Sequence, residues 1–308
     1  MKKILVIAAL SGLAAAFAQD EGTGSSISDL SISGTFAYES EYVFRGLQFA
    51  DESFQPSVEI GYPVADGNIY AGIWVNDPIS AGNGNAQGGT QEIDFYGGFA
   101  YPIDVVTLDV GFTYYWFPQN ATSGGGTFKV DDFKDFVAGE QDEFAAANID
   151  QTQEVFIGAS AEIPDFPVSP ALYFYYDFAL EAVTVEASVG YSYDLGEAVG
   201  VDGIAIDTSA YVGVVDANDA NGNLDSGFGF VNADGEIERL EDSPENGYTY
   251  AGLSADLVYS FNEFVSASFG IRWAVNNDEA DTDGDTGGKR EDVDSNQFWY
   301  GASIGFSY

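Results

Sequence analysis

Carboxylates make up most of the ionisable chemistry of this sequence, with 50 Asp and Glu against 9 Lys and Arg and a formal charge of −41 over 308 residues. There is no His and no Cys, which excludes imidazole relays, thiol nucleophiles, disulfides and Cys/His zinc sites. A nucleic-acid binder is excluded as well, because each phosphate contact needs a Lys or Arg. Carboxylate pairs or a Ser/Lys arrangement are what remains for catalysis. Beyond Lys2 and Lys3 the lysines are Lys129, Lys134 and Lys289, all in predicted loops, so the chain is not expected to be an enzyme and no cofactor is expected within it.

Eight acids, Glu59, Glu92, Asp94, Asp109, Glu154, Glu186, Asp207 and Asp256, sit at alternating positions opposite apolar residues. That spacing places them on one face of extended chain. Rings of such side chains around a narrow pore favour cations, because the low-dielectric wall focuses their field. The same acids also suit a structural role, tied across the lumen to Tyr hydroxyls, to Arg272 and to Arg45. For Arg45 itself a salt bridge is favoured over contact with a solute, given how readily guanidinium forks to carboxylate.

Other acids cluster in predicted loops. Residues 117–150, 216–246 and 277–295 hold 24 of the 50. Asp281, Asp283 and Asp285, and likewise Asp219, Asn221 and Asp225, bring oxygen ligands close together with Gly nearby, which suits Ca²⁺. Neither segment has the distal Glu of a complete calcium loop, so solvated charge is the competing reading. The loop from Pro118 to Ile149 is the candidate constriction. Val130, Phe133, Phe136 and Val137 have helical spacing, and Asp131, Asp132 and Asp135 accompany them. It is expected either to tuck into a barrel mouth or, by preference, to lie over the rim.

The elements that must position these acids read as strands. Val106, Leu108, Val110, Phe112, Tyr114 and Trp116 alternate with Thr107, Asp109, Gly111, Thr113 and Tyr115, and the same period recurs to the last residue. Twelve segments are predicted: 30–44, 54–64, 67–76, 90–101, 103–116, 151–163, 168–178, 181–195, 203–215, 247–261, 263–276 and 296–308. Their connections alternate between short and long. In an antiparallel barrel this gives one end of tight turns and one of long loops.

Met1-Lys2-Lys3, the apolar run from Ile4 to Leu10 and Ala16-Phe17-Ala18 predict a signal peptide over 1–18, with an outer-membrane β-barrel domain over 19–308. Cleavage would leave 7 basic against 50 acidic residues, or −43. A soluble β-sandwich alternates too. Here, though, Tyr and Trp gather near the ends of the apolar face, as an interfacial girdle requires, while the opposite face is Gly, Ser, Thr, Tyr, Asp and Glu. The expected fold is therefore an all-β, transmembrane, antiparallel up-and-down barrel. Leu108, Val110, Phe112, Val185, Val189, Ile304 and Phe306 should face lipid.

Ser40-Glu41-Tyr42-Val43-Phe44-Arg45-Gly46, Phe54-Gln55-Pro56-Ser57-Val58-Glu59 and Ile69-Tyr70-Ala71-Gly72-Ile73-Trp74 resemble the opening of the TorF-like porin family, an outer-membrane group of conserved hypothetical proteins. Glu92 to Gly97 and Tyr114 to Pro118 resemble its following strands. The resemblance covers roughly residues 34–118 and implies a porin-like barrel. Together these readings predict a channel for passive diffusion of small cationic or neutral solutes. The alternative is a structural or adhesive barrel with a plugged lumen and Ca²⁺-binding loops. Lipid and lipopolysaccharide are the expected surroundings, and the strand ending in Tyr308 resembles the signal read by the barrel-insertion machinery.

Overall fold

The computed structural model describes residues 30–79, 91–118, 151–164, 166–178, 182–217, 230–231, 237–238, 248–276 and 296–308. In chain order the strands are β1 (Ser31–Glu39), β2 (Tyr42–Phe44), β3 (Leu47–Ala50), β4 (Ser53–Val64), β5 (Gly67–Pro78), β6 (Glu92–Ile103), β7 (Val106–Trp116), β8 (Gln151–Ala161), β9 (Val168–Asp177) and β10 (Ala182–Asp194). After the one-turn helix α1 (Gly196–Val199) come β11 (Ile204–Ala217), β12 (Phe230–Val231), β13 (Ile237–Glu238), β14 (Tyr248–Ser260), β15 (Val265–Asn276) and β16 (Asn296–Ser307).

Twelve of these strands form one closed antiparallel barrel in the order β1-β16-β15-β14-β11-β10-β9-β8-β7-β6-β5-β4, so each wall strand pairs with its neighbours in sequence. Closure is between β1 and β16, with Gly34 opposite Phe306 and Glu39 opposite Gly301. The backbone amides and carbonyls of Ile32 and Tyr308 bond reciprocally at 2.8 Å, which brings the start of β1 and the end of β16 to the same rim. Without that pairing two strand edges would be left bare.

Period-two alternation decides which way each side chain points. Leu108, Val110, Phe112, Val185, Val189 and Ile304 all lie on the exposed outer surface. Phe306, on the same outward parity, is half-buried against the ring of Phe36. Tyr191, Tyr193, Tyr259, Phe261, Phe264 and Tyr308 form an exposed aromatic band toward the tight-turn end. An apolar outer belt with aromatic residues at its margin is the surface a bilayer stabilises.

At that end β4 passes to β5, β6 to β7 and β14 to β15 with almost no intervening chain. Ala65 (φ 54°) and Asp104 (φ 56°) take the left-handed conformation that tight hairpin turns demand. The longer connection after β10 is filled by α1, closed by Gly200 at φ 71°. The opposite end carries the connections at 40–52, 79–91, 117–150, 178–181, 218–247 and 277–295, and so the three most acidic segments.

One predicted boundary is corrected. The first strand was expected to run to residue 44, but the wall strand stops at Glu39. Tyr42–Phe44 instead pairs with Leu47–Ala50 in a hairpin outside the barrel ladder. The reason is local: Arg45 (φ 49°) and Gly46 (φ 79°) form a two-residue turn that reverses the chain.

Candidate functional site

The hairpin of β2 and β3 turns into the barrel rather than away from it. Tyr42, Val43 and Ala50 are buried, and Val43 packs on Trp299 of β16 and Ala274 of β15. On another side Tyr42 meets Trp74 of β5, with ring centroids 5.3 Å apart. At the tip, Arg45 forks onto Glu154 of β8, with Nη1 donating to Oε2 at 2.8 Å and Nη2 to Oε1 at 2.9 Å. Its guanidinium carbon also lies 4.7 Å from the ring centres of both Phe44 and Tyr175 of β9. Behind the turn, Asn276 Nδ2 donates to the Gly46 carbonyl at 2.6 Å. A side chain at Gly46 would run into Tyr250. The hairpin thus touches wall from β5 through β9 on one side and from β14 through β16 on the other.

The inward carboxylates are tied to tyrosines as well as to arginine. Asp109 accepts from Tyr70 at 2.9 Å and from Tyr173 at 3.2 Å, so β7 is linked to β5 and to β9. Glu186 Oε2 accepts from Tyr250 at 2.7 Å, and Glu154 Oε1 also accepts from Tyr115 at 3.1 Å. Five inward rings lie along the wall because each faces a glycine directly across the ladder. Tyr70 lies over Gly98, Tyr96 over Gly72, Tyr173 over Gly158, Tyr211 over Gly252 and Tyr250 over Gly213. Each ring takes the space in which a side chain at its glycine would stand, and the lumen is spared that bulk.

A second ion cluster joins the strands near closure. Arg272 Nη2 of β15 lies 3.0 Å from Asp256 Oδ1 of β14 and 3.3 Å from Glu39 Oε1 of β1. The two carboxylates fit because they rest over Gly270 and Gly301. Nearer the tight turns the inward residues include the small polar side chains Ser33, Ser160, Ser169, Ser192, Ser209, Ser268 and Ser303. The Ser209–Ser254 and Ser268–Ser303 hydroxyl pairs, each at 2.8 Å, line that half.

Of the acids singled out in the sequence, Glu59, Glu92, Asp94, Asp109, Glu154, Glu186 and Asp256 point inward and are buried, as does Arg272, while Asp207 is inward and half-buried. They do not form one ring. Glu92, Asp94 and Glu154 lie toward the hairpin, Glu59 is midway along β4, Asp109 and Asp207 are close to the tight-turn ends of β7 and β11, and Asp256 is joined through Arg272 to Glu39. Asp131, Asp132 and Asp135 of the candidate constriction loop lie outside the described residues, as do the calcium candidates Asp219, Asn221, Asp225, Asp281, Asp283 and Asp285. Glu39 and Asp177 were missed. Glu39 follows Ser31, Ser33, Thr35 and Ala37 at period two, and reading β1 on to residue 44 hid its place at the rim. Asp177, which accepts from Thr152 Oγ1 at 2.6 Å, closes the inward series of β9.

The family described as "Bacterial protein of unknown function (Gcw_chp)" matches residues 23–247. No curated protein matches the chain. Among solved structures it is similar to an outer membrane channel from Pseudomonas putida F1, at 8% identity and a TM-score of 0.48 over 94% of this chain and 100% of that one. It is also similar to the KdgM porin, at 8% identity and a TM-score of 0.43 over 90% of this chain and 99% of that one. A third similarity is to the translocator domain of the autotransporter NalP from Neisseria meningitidis, at 12% identity and a TM-score of 0.42 over 93% and 89% of the two chains.

Proposed function

This chain belongs to the Gcw_chp family of bacterial proteins, and we propose that it is a channel of the bacterial outer membrane through which small solutes diffuse passively, cations in preference to anions. The observation that carries this reading is the two-faced wall. Its outer surface is apolar with an aromatic margin, and its inner surface is carboxylate, tyrosine hydroxyl, serine and glycine. A closed barrel leaves no backbone edge in lipid, and a polar interior suits water. The resemblance of residues 34–118 to TorF-like porins points the same way. Export would use the signal peptide over 1–18, and insertion the strand that ends in Tyr308.

Charge supplies the preference. Acids on the inner wall and 24 of the 50 in three connections at one end make the mouth strongly negative. In a planar bilayer with a KCl gradient, the reversal potential is expected to favour K⁺. The preference should weaken as the screening length falls from ~10 Å at ~0.1 M to ~3 Å at ~1 M. Neutralising Asp94, Asp109 and Glu186 should reduce it; a preference for Cl⁻ would overturn the electrostatic reading. The hairpin across the lumen favours a second reading, a structural or adhesive barrel whose acidic loops work outside the cell, bridged by Ca²⁺ to one another or to lipopolysaccharide. Absence of conductance at every salt concentration would select it.

A further inference from the structure

We propose that the β2–β3 hairpin is the constriction of this pore and that the clamp between Arg45 and Glu154 holds it there. The proposal rests on the channel reading and deepens it by naming the element that limits solute size.

The hairpin is an insert and no part of the wall. β1 pairs directly with β4 and with β16, with Glu39 opposite Ser53, so the barrel closes without residues 40–52. β2 and β3 pair only with each other. Ser40 and Glu52, at its base, still bond the wall through their backbone, and what holds β2 and β3 beyond them is Val43 on Trp299, Tyr42 on Trp74, the Gly46 carbonyl on Asn276, and Arg45 on Glu154. These contacts reach opposite parts of the wall, so two paired strands with their side chains stand across the lumen. Beyond them, toward the turns, the wall is lined by serines and by tyrosines laid flat over glycine.

Arg45 is the residue on which docking depends. It occupies a left-handed turn position, φ 49°, where Asn, Asp or Gly is the easier choice. Its side chain is what the position is used for. The guanidinium makes both bonds to Glu154, and their side chains are only 11% and 2% exposed. Arg45 is also the one cation in residues 40–52, which carry Glu41, Asp51 and Glu52 and enter a mouth that holds Glu39, Glu92 and Asp94. Among the described residues Arg272 is the other cation near that mouth, and it is held by Glu39 and Asp256. Without the arginine at position 45, the insert is left with its apolar contacts and the Asn276 bond, set against the surrounding carboxylates.

The test compares four purified, membrane-folded proteins: wild type, Arg45→Asn, Glu154→Gln, and a variant in which an Asn-Gly turn replaces residues 40–52. Arg45→Asn keeps a residue suited to the turn while removing the clamp, so the hairpin itself persists. Single-channel conductance should rise several-fold in Arg45→Asn and most in the excised variant, and neutral oligosaccharides too large for the wild type should pass in a liposome-swelling assay. Glu154→Gln, which leaves one acceptor oxygen for the guanidinium, should fall between wild type and Arg45→Asn. Fluorescence gives a readout independent of current. In a Trp116→Phe, Trp273→Phe background only Trp74 and Trp299 remain, both against the hairpin, and Arg45→Asn should shift their emission to the red. If the wild type conducts and excision changes neither conductance nor size limit, the inference is wrong and the channel reading stands. If none of the four conducts, both fall. An unchanged emission in Arg45→Asn overturns the clamp.

Discussion

Arg45 and Arg272, the two arginines among the described residues, both satisfy buried carboxylates inside the barrel, on different kinds of support. Arg45 sits at the tip of an inserted hairpin and holds one acid with a full fork. Arg272 belongs to a wall strand and serves two acids through a single nitrogen, Nη2, while Nη1 has no hydrogen-bond partner among the described residues. The first pair fixes something that can leave, whereas the second holds together β1, β14 and β15, which the barrel needs to close. Similar ion pairs therefore report on different properties, the pore in one case and assembly in the other.

The largest effect expected from this contrast is that of Arg272→Ala. It would leave Glu39 and Asp256 buried beside each other with no cation, and stranding a buried charge costs about 3–5 kcal/mol. Urea unfolding of the liposome-folded protein should show that loss, with a smaller folded fraction on insertion. Adding Glu39→Gln and Asp256→Asn should restore most of it. A single Arg272→Ala variant as stable as wild type would break the distinction between the two arginines.

Arg45→Ala is expected to cost less, about 1.5–3 kcal/mol, the range of a charged hydrogen bond. When the hairpin lifts, Glu154 meets water and keeps its bond from Tyr115, so no charge is stranded in a dry wall. The same urea titration should show the smaller shift, with unimpaired insertion. A loss equal to that of Arg272→Ala would make the hairpin a part of the barrel's framework.

The wall was far more legible in the sequence than the insert. Leu108, Val110 and Phe112 could face only one way once period two was recognised, and Asp109 then had to face the other. Strand count and parity followed from repeating that inference. The hairpin obeys no such rule. Tyr42-Val43-Phe44 is apolar and β-prone, so it reads as more of β1, and Arg45-Gly46 lacks the Asn-Gly or Asp-Gly signature that marks a two-residue turn. The burial of Val43 against Trp299, 256 positions away, is settled by barrel closure and leaves no local trace. The pairing of five lumen tyrosines with glycines is hidden for the same reason, since it is a cross-strand relation. Tyr173 and Gly158 have nothing in common until β8 and β9 are in register.

The finest test exchanges each arginine for lysine, which keeps the charge and changes only its shape. Lysine is a compact point charge with no planar fork. At position 272 a single nitrogen already serves Asp256 and Glu39 at 3.0 and 3.3 Å, so an ammonium can stand between the two carboxylates. Arg272→Lys should cost under about 1 kcal/mol, as a substitution that leaves the buried charges paired. At position 45 both nitrogens are used, one on each oxygen of Glu154, and the flat guanidinium lies against Phe44 and Tyr175. A lysine there forfeits one of the two bonds and the stacking. Arg45→Lys should therefore sit between wild type and Arg45→Asn in conductance, while Arg272→Lys leaves conductance at the wild-type value. Equal behaviour of the two lysine variants would mean that charge alone, and not the fork, keeps the hairpin across the pore.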